Sequence, residues 1–290
     1  AVGEGSKATA SNCWISSNEE ANVSAEGGGW VDVQDHCQCN GSESSNGLRA
    51  VGKGSEATAS NCWISNNEEA NVRAVCGGKV DVQDDCKCND SQDSNGLEAI
   101  GEGSTATASN CCISNNMKAN AYAAEGGWVD VQDHCQCNGS KSSNGLVASG
   151  EGSKATAHAC SISNNQLANV SAVGGGKVEV RDNCKCNDSQ VSNGLRAVGE
   201  GSKATASKCS ISNNQLANVS AVGGGKVEVR DNCKCNDSQV SNGLRAVGEG
   251  SEASASNCWI SNNQIANVRA VRGGKVEVQD HCQCNGSKSS

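Results

Sequence analysis

The chain has 290 residues with 35 glycines and 20 cysteines, but no proline, no phenylalanine and one tyrosine, so a thick core of large side chains cannot be built, which argues against an ordinary globular enzyme. The formal charge is −9 with no basic cluster and few aromatics, leaving neither an electrostatic footprint nor a stacking platform for nucleic acid. No apolar run approaches the roughly 18 residues of a membrane span, and no signal peptide is evident, although Ala1 stands where a mature start would.

In chain order, the string AVGEGS or a variant of it begins at Ala1, Ala50, Ala99, Ala148, Ala197 and Ala246, every 49 residues without insertion or deletion. The chain therefore divides into six units, 1–49, 50–98, 99–147, 148–196, 197–245 and 246–290, and reads as one continuous body. Ser161 to Ser202 is identical to Ser210 to Ser251. Neither end carries a distinctive polar cap of the kind isolated solenoids need, so the expectation is a window of a longer array or a unit that stacks end to end.

Each unit has two related halves. Leu48 to Cys62 lies on Val23 to Cys37 without a gap, matching Ala50 with Ala25, Gly52 with Gly27, Gly54 with Gly29 and Cys62 with Cys37. Cys13 then corresponds to Cys37 and Ile15 to Cys39, giving coils of 24 and 25 residues, about twelve in all. Within a coil the pattern predicts extended pieces at Asn22 to Ala25, Trp30 to Gln34 and Cys37 to Asn40, separated by a Gly27-Gly28-Gly29 turn and a bend at Asp35-His36. The bend releases Asp35, which a continuous strand would bury. Thr9 falls on Val33 in the alignment whereas alternation points Ala8 inward, and a bulge would reconcile the two.

Three short strands per coil with Asn-rich turns is the sequence form of an all-β solenoid. The motifs SNCWISNN, ANVSA, GGG, VDV and NGL resemble the coil repeats of right-handed parallel β-helices of the pectate-lyase-like type. The resemblance covers the whole chain and implies a fold of about twelve three-sided coils, two per repeat. Proteins with such repeats include polysaccharide-cleaving and epimerising enzymes as well as adhesins, fibres and spikes, so the fold does not choose an activity.

Stacking at about 4.8 Å per coil turns equivalent residues into ladders. Asn18, Asn67, Asn116, Asn165, Asn214 and Asn263 share a turn position and are read as structural. One cysteine ladder runs Cys13, Cys37, Cys62, Cys86, Cys111, Cys135, Cys160, Cys184, Cys209, Cys233, Cys258 and Cys282. Its neighbouring rungs are close enough for disulfides such as Cys13 to Cys37, with buried thiols as the alternative. Such cysteine density favours an oxidising, extracellular setting. Cys39 has its own copies two rungs away and is expected to stay free. Asp-His-Cys-x-Cys offers zinc or copper ligand types, but His36, His134 and His281 are matched by Asp85, Asn183 and Asn232 in other units, so no metal and no cofactor is expected. Nor does CxC on a strand resemble the helix-opening CxxC that lowers a thiol pKa.

Asn40, Asn89, Asn138, Asn187, Asn236 and Asn285 begin Asn-Gly-Ser or Asn-Asp-Ser, and Asn22, Asn169 and Asn218 begin Asn-Val-Ser, all N-glycosylation patterns. Attached glycans are accordingly expected. Catalysis requires a constellation that breaks the repeat, whereas the acids recur evenly, as in Asp32 with Asp35 and Asp81 with Asp84, an expected solvated face with calcium binding as a minor alternative. His158 is the only histidine out of register and has no evident partner. No catalytic residue is assigned and the chain is expected not to be an enzyme.

The leading reading is a self-associating structural segment of an extracellular filament, appendage or surface layer, with Trp14, Trp63, Cys112, Ser161, Ser210 and Trp259 available for lateral contacts. Ice binding through Thr9, Thr58, Thr107, Thr156 and Thr205 ranks below it, because one threonine per two coils beside charges makes a poor flat array. A polysaccharide-binding or polysaccharide-cleaving protein is the third reading.

Overall fold

Residues 1–287 are described by the computed structural model. Strands pair in parallel with the strand one coil away, building a twelve-stranded sheet, an eleven-stranded sheet and a third strip of short strands and single bridges. The chain is a parallel β-solenoid of about twelve coils, with no helix among the described residues. We call its sides the VDV face (Trp30–Gln34 and Glu56–Ser60 in the first two coils), the LRAV face (Val23–Glu26 and Leu48–Val51) and the cysteine strip, which includes Gln38–Asn40.

Alternation within each strand decides what the core contains. Val31 and Val33, Cys37 and Cys39, and Val23 and Ala25 point inward in one coil; Ala57 and Ala59, Cys62 and Ile64, and Leu48 and Ala50 do so in the next. Bulk on one rung faces a smaller group on its neighbour, as Val33 does Ala59, so a narrow interior is filled without large aromatics. Where the chain re-enters the LRAV face, no side chain fits: a Cβ at Gly96 would collide with Asn116 Nδ2 and Ile113 Cγ2.

The alternation of coil length is a property of the corners. The coil from Val23 turns through three residues at Gly27–Gly29, two at Asp35–His36 and seven from Gly41 to Gly47; the coil from Leu48 uses four at Gly52–Ser55, one at Asn61 and six from Asn66 to Asn71. Ser55 joins unequal corners, its Oγ donating to Val51 O at 2.7 Å and accepting from Gly28 N–H at 3.0 Å. Asp35, His36 and Asn61 have φ of 52°, 65° and 55°, a left-handed backbone that short polar residues tolerate best.

No bulge interrupts these strands; the offset is taken up at the corners, and the one-to-one pairing is continuous. That pairing settles the direction of the threonines: Ala8 pairs with Val31 and Ala10 with Val33, both inward, while Thr9 lies against Asp32 on the outer side.

Candidate functional site

A continuous asparagine network runs beside the loops entering the LRAV face. Asn67 Nδ2 donates to Cys39 O at 3.1 Å and to Asn71 Oδ1 at 2.9 Å, while Asn67 Oδ1 accepts from Ser42 N–H and Asn22 Nδ2, both at 3.0 Å. Asn71 Nδ2 then donates to Asn89 O at 2.8 Å and to Asn116 Oδ1 at 3.0 Å, so the chain of amides passes to the next unit. The pattern continues through Asn120, Asn165, Asn169, Asn214, Asn218 and Asn263. Every donor and acceptor of Asn67 is used at zero exposure, which is what a buried amide requires.

That network corrects part of the glycosylation reading. The Nδ2 atoms of Asn169 and Asn218, the atoms to which a glycan would attach, are buried donors to Asn187 O and Asn236 O at 2.7 Å and to the next asparagine at 3.0 Å. Asn22 Nδ2 is likewise a donor to Asn67. The other sequons differ. Asn40, Asn89, Asn138, Asn187 and Asn236 are half-buried and Asn285 is exposed. In Asn89 and Asn138 it is Oδ1 that is engaged, accepting from the backbone N–H of Ser114 and Ser163 at 2.9 Å and from their hydroxyls at 3.0 Å. A glycan on Nδ2 leaves those bonds intact.

All twenty cysteines are free thiols. The expected pairing of Cys13 with Cys37, and of the equivalent rungs through Cys282, is absent for a visible reason. Cys62 Sγ donates to Ser60 O at 3.0 Å, while Cys86 Sγ accepts the N–H of Cys62 at 3.3 Å, so adjacent sulfurs are held as thiol donor and acceptor. Donation from Cys111 and Cys62 holds Cys86 below the usual thiol range, and Cys111 is pushed up because it donates to Cys135 and Cys86. Cys39 and its copies alternate with isoleucine, as expected; burial pushes Cys39 to about 12 and Cys88, Cys137, Cys186 and Cys235 well up. These are inert apolar fillers rather than nucleophiles.

No three His, Cys, Asp or Glu side chains among the described residues gather as metal ligands. The VDV face alternates threonine and acid along its axis, and Thr58, Thr107 and Thr156 donate to Asp32, Asp81 and Asp130. Their hydroxyls are tied to carboxylates, which argues against an ordered water-binding array. His158 does have a partner, Asp182 on the next rung, at 3.2 Å from its Nε2.

One irregularity escaped the sequence reading. On the outer LRAV face Arg73, Glu98 and Tyr122 occupy successive rungs. Glu98 is 5% exposed, accepts from Asn95 Nδ2 at 2.9 Å and pairs with Arg73 Nε at 3.2 Å. Burial raises its pKa despite the arginine. A shallow cavity lined by Glu68, Glu69, Asp93 and Lys118 opens over it. Like His158 with Asp182, this constellation is not copied by the repeat, and its buried carboxyl makes it the stronger candidate for a localised site among the described residues. Only a comparison of column positions across units would have flagged it.

No family model and no curated protein sequence matches the chain. Among solved structures it is similar to the A-module of the mannuronan C-5 epimerase AlgE4 of Azotobacter vinelandii, at 11% identity over 90% of this chain and 80% of that one, with a TM-score of 0.42. It is also similar to the A-module of AlgE6 from the same organism, at 13% identity over 98% and 89% of the two chains, with a TM-score of 0.45. Both are enzymes by name, which stands against the expectation that the chain is not an enzyme. No helix among the described residues is long and apolar enough to cross a membrane.

Proposed function

We propose that the chain is a structural rod, a segment of an extracellular filament, appendage or surface layer that lengthens by adding coils end to end and carries glycans at its Asn89-type corners. The observation that carries this reading is the register. Strands pair residue for residue across the whole VDV face, so Lys7–Ser11 and Lys275–Gln279 leave flat edges that match each other's pattern. At the second edge Val278 is 39% exposed although its equivalent Val229 is fully buried. A coil of a second copy stacked on that edge would cover Val278. Placing proline in that edge strand with Glu277→Pro tests this: the variant should stop elongating in sedimentation velocity while keeping the β-sheet circular dichroism. Equal elongation by both proteins refutes it.

A second reading is favoured by one feature. Lys154, Lys177, Lys203 and Lys226 occupy four successive rungs of the VDV face, beside Glu179 and Glu228. An acidic polysaccharide laid along the axis would meet one ammonium per coil. Salt-sensitive binding lost in a Lys177→Gln, Lys203→Gln variant supports it, and equal binding of a neutral polysaccharide counts against it.

A further inference from the structure

The three sides of the rod differ in what they offer a neighbour. Outward positions of the VDV face are mostly lysine, threonine, acid, serine, glutamine and arginine, interrupted by Trp30 and Trp128, a largely polar surface. The LRAV face is different. Its fourth strand position points outward, and from Val51 to Val271 that column holds Val, Ile or Ala on every rung except Ser149. Apart from the 7%-exposed Ala124, the column is only half-buried.

Beside the valines runs the second strand position, and its charge changes along the axis. Toward the start Arg49 pairs with Glu26, which that arginine and Ser24 hold below the usual carboxylate range, and Arg73 pairs with Glu69 and Glu98. Toward the other end Arg196, Arg245 and Arg269 have no carboxylate within ion-pair distance among the described residues. The Nε atoms of Arg196 and Arg245 are buried without a hydrogen-bond partner, as is that of Arg49 at the other end, so the two ends differ in ion pairing. The flanking corner changes with them, from Glu68, Glu69 and Asp93 to Leu167, Val191 and Val240, the last three 37%, 45% and 45% exposed.

We propose that the LRAV face is a lateral interface occupied by the LRAV face of a second copy of this chain. An apolar stripe with unpaired arginines at one end and surplus carboxylates at the other is complementary to itself when two rods lie side by side with unlike ends together. The dimensions are sufficient. Eleven strands at about 4.8 Å give a strip of ~50 Å, and four residues at about 3.3 Å make it ~13 Å wide. The pair thus covers about 1,300 Å², within the range of stable interfaces. Aliphatic side chains and arginine provide the contact; carboxylates at the far end neutralise the guanidinium groups left alone in a single rod. The inference goes beyond end-to-end stacking and does not depend on it, since one sets the width of an assembly and the other its length.

The test is sedimentation equilibrium of the whole chain together with measured rod widths. Val75→Lys, Val198→Lys and Val222→Lys combined place three cations on the stripe at outward positions, where the coil itself is not disturbed; unchanged circular dichroism and melting temperature verify this. Thr107→Lys, Thr156→Lys and Thr205→Lys on the VDV face form the control. Wild type and control should pair, with the stripe variant weakened at least 100-fold and rods reduced to single width at unchanged length. Arg196→Ser with Arg245→Ser should weaken pairing and flatten its salt dependence. Wild type that stays single into the high micromolar range, equal weakening by stripe and control variants, or vesicles bound by the face of a single rod each overturns the proposal. Loss of elongation in rods that still pair counts against end-to-end stacking alone.

Discussion

Replacing Asn116 by alanine isolates the asparagine network. The residue has zero exposure and sits at the joint between two repeat units. Its Oδ1 accepts from Ser91 N–H and Asn71 Nδ2, both at 3.0 Å, and its Nδ2 donates to Cys88 O at 3.1 Å and Asn120 Oδ1 at 2.9 Å. Alanine removes all four bonds and strands groups that water cannot reach. With each stranded group costing ~1–2 kcal/mol and some relaxation allowed, the loss is about 4 kcal/mol. Exposed Asn66, whose side chain donates one bond to Ser65 Oγ at 3.3 Å, is the comparison. Asn66→Ala should cost below ~1 kcal/mol, mainly through its left-handed φ of 57°. Urea denaturation gives the totals and hydrogen exchange gives the location: the Ser91 amide should lose its protection before distant coils do, because solenoid coupling runs between neighbours. Equal effects of the two variants, or a loss under ~1 kcal/mol for Asn116→Ala, would refute the view that the amides, and not the thin apolar core alone, hold the coils together.

Three further outcomes follow from the same geometry. Burial raises the pKa of Glu98, so its favourable contribution is fully present below the unfolded carboxyl value and fades as pH rises through the folded one; Glu98→Gln should remove that loss, making the variant's stability flatter than wild type above about pH 4, and parallel pH curves contradict it. A thiol reagent applied to the native chain should modify the exposed Cys13, Cys76 and Cys284 quickly and the buried ladder only after unfolding; a ladder unreactive even when unfolded, until reduced, means disulfides formed after all. Secreted from eukaryotic cells, the chain should carry glycans at Asn89, Asn138, Asn187 and Asn236 and none at Asn169 or Asn218, as read by peptide mass mapping. Occupancy at Asn169 in folded material contradicts the placement of its amide.

What was legible in the sequence is what the period carries. Stacking repeats each inward position every coil, so Val31, Val33, Cys37 and Cys39 announce themselves by recurrence, and the bend at Asp35-His36 follows from a charge out of phase with them. Compensating corners were harder to see. The longer corner at Gly52–Ser55 and the shorter one at Asn61 cancel within a few residues, so an ungapped alignment looks sound while placing Thr9 on Val33 instead of Ala10. Tripeptide motifs also mislead: Asn169-Val-Ser is a sequon locally, but its amide is spent on a neighbour 45 residues away. Cross-rung pairs such as His158 with Asp182, and Arg73 with Glu98, lie about one coil apart and carry no local signal.

Electron micrographs of the purified chain over a range of concentrations test the central claim most directly. Twelve coils at about 4.8 Å make one rod of ~55 Å. End-to-end stacking predicts rods that lengthen with concentration in steps of that size, with the strand spacing continuous through the joints. Dispersed rods of one length at every concentration contradict it.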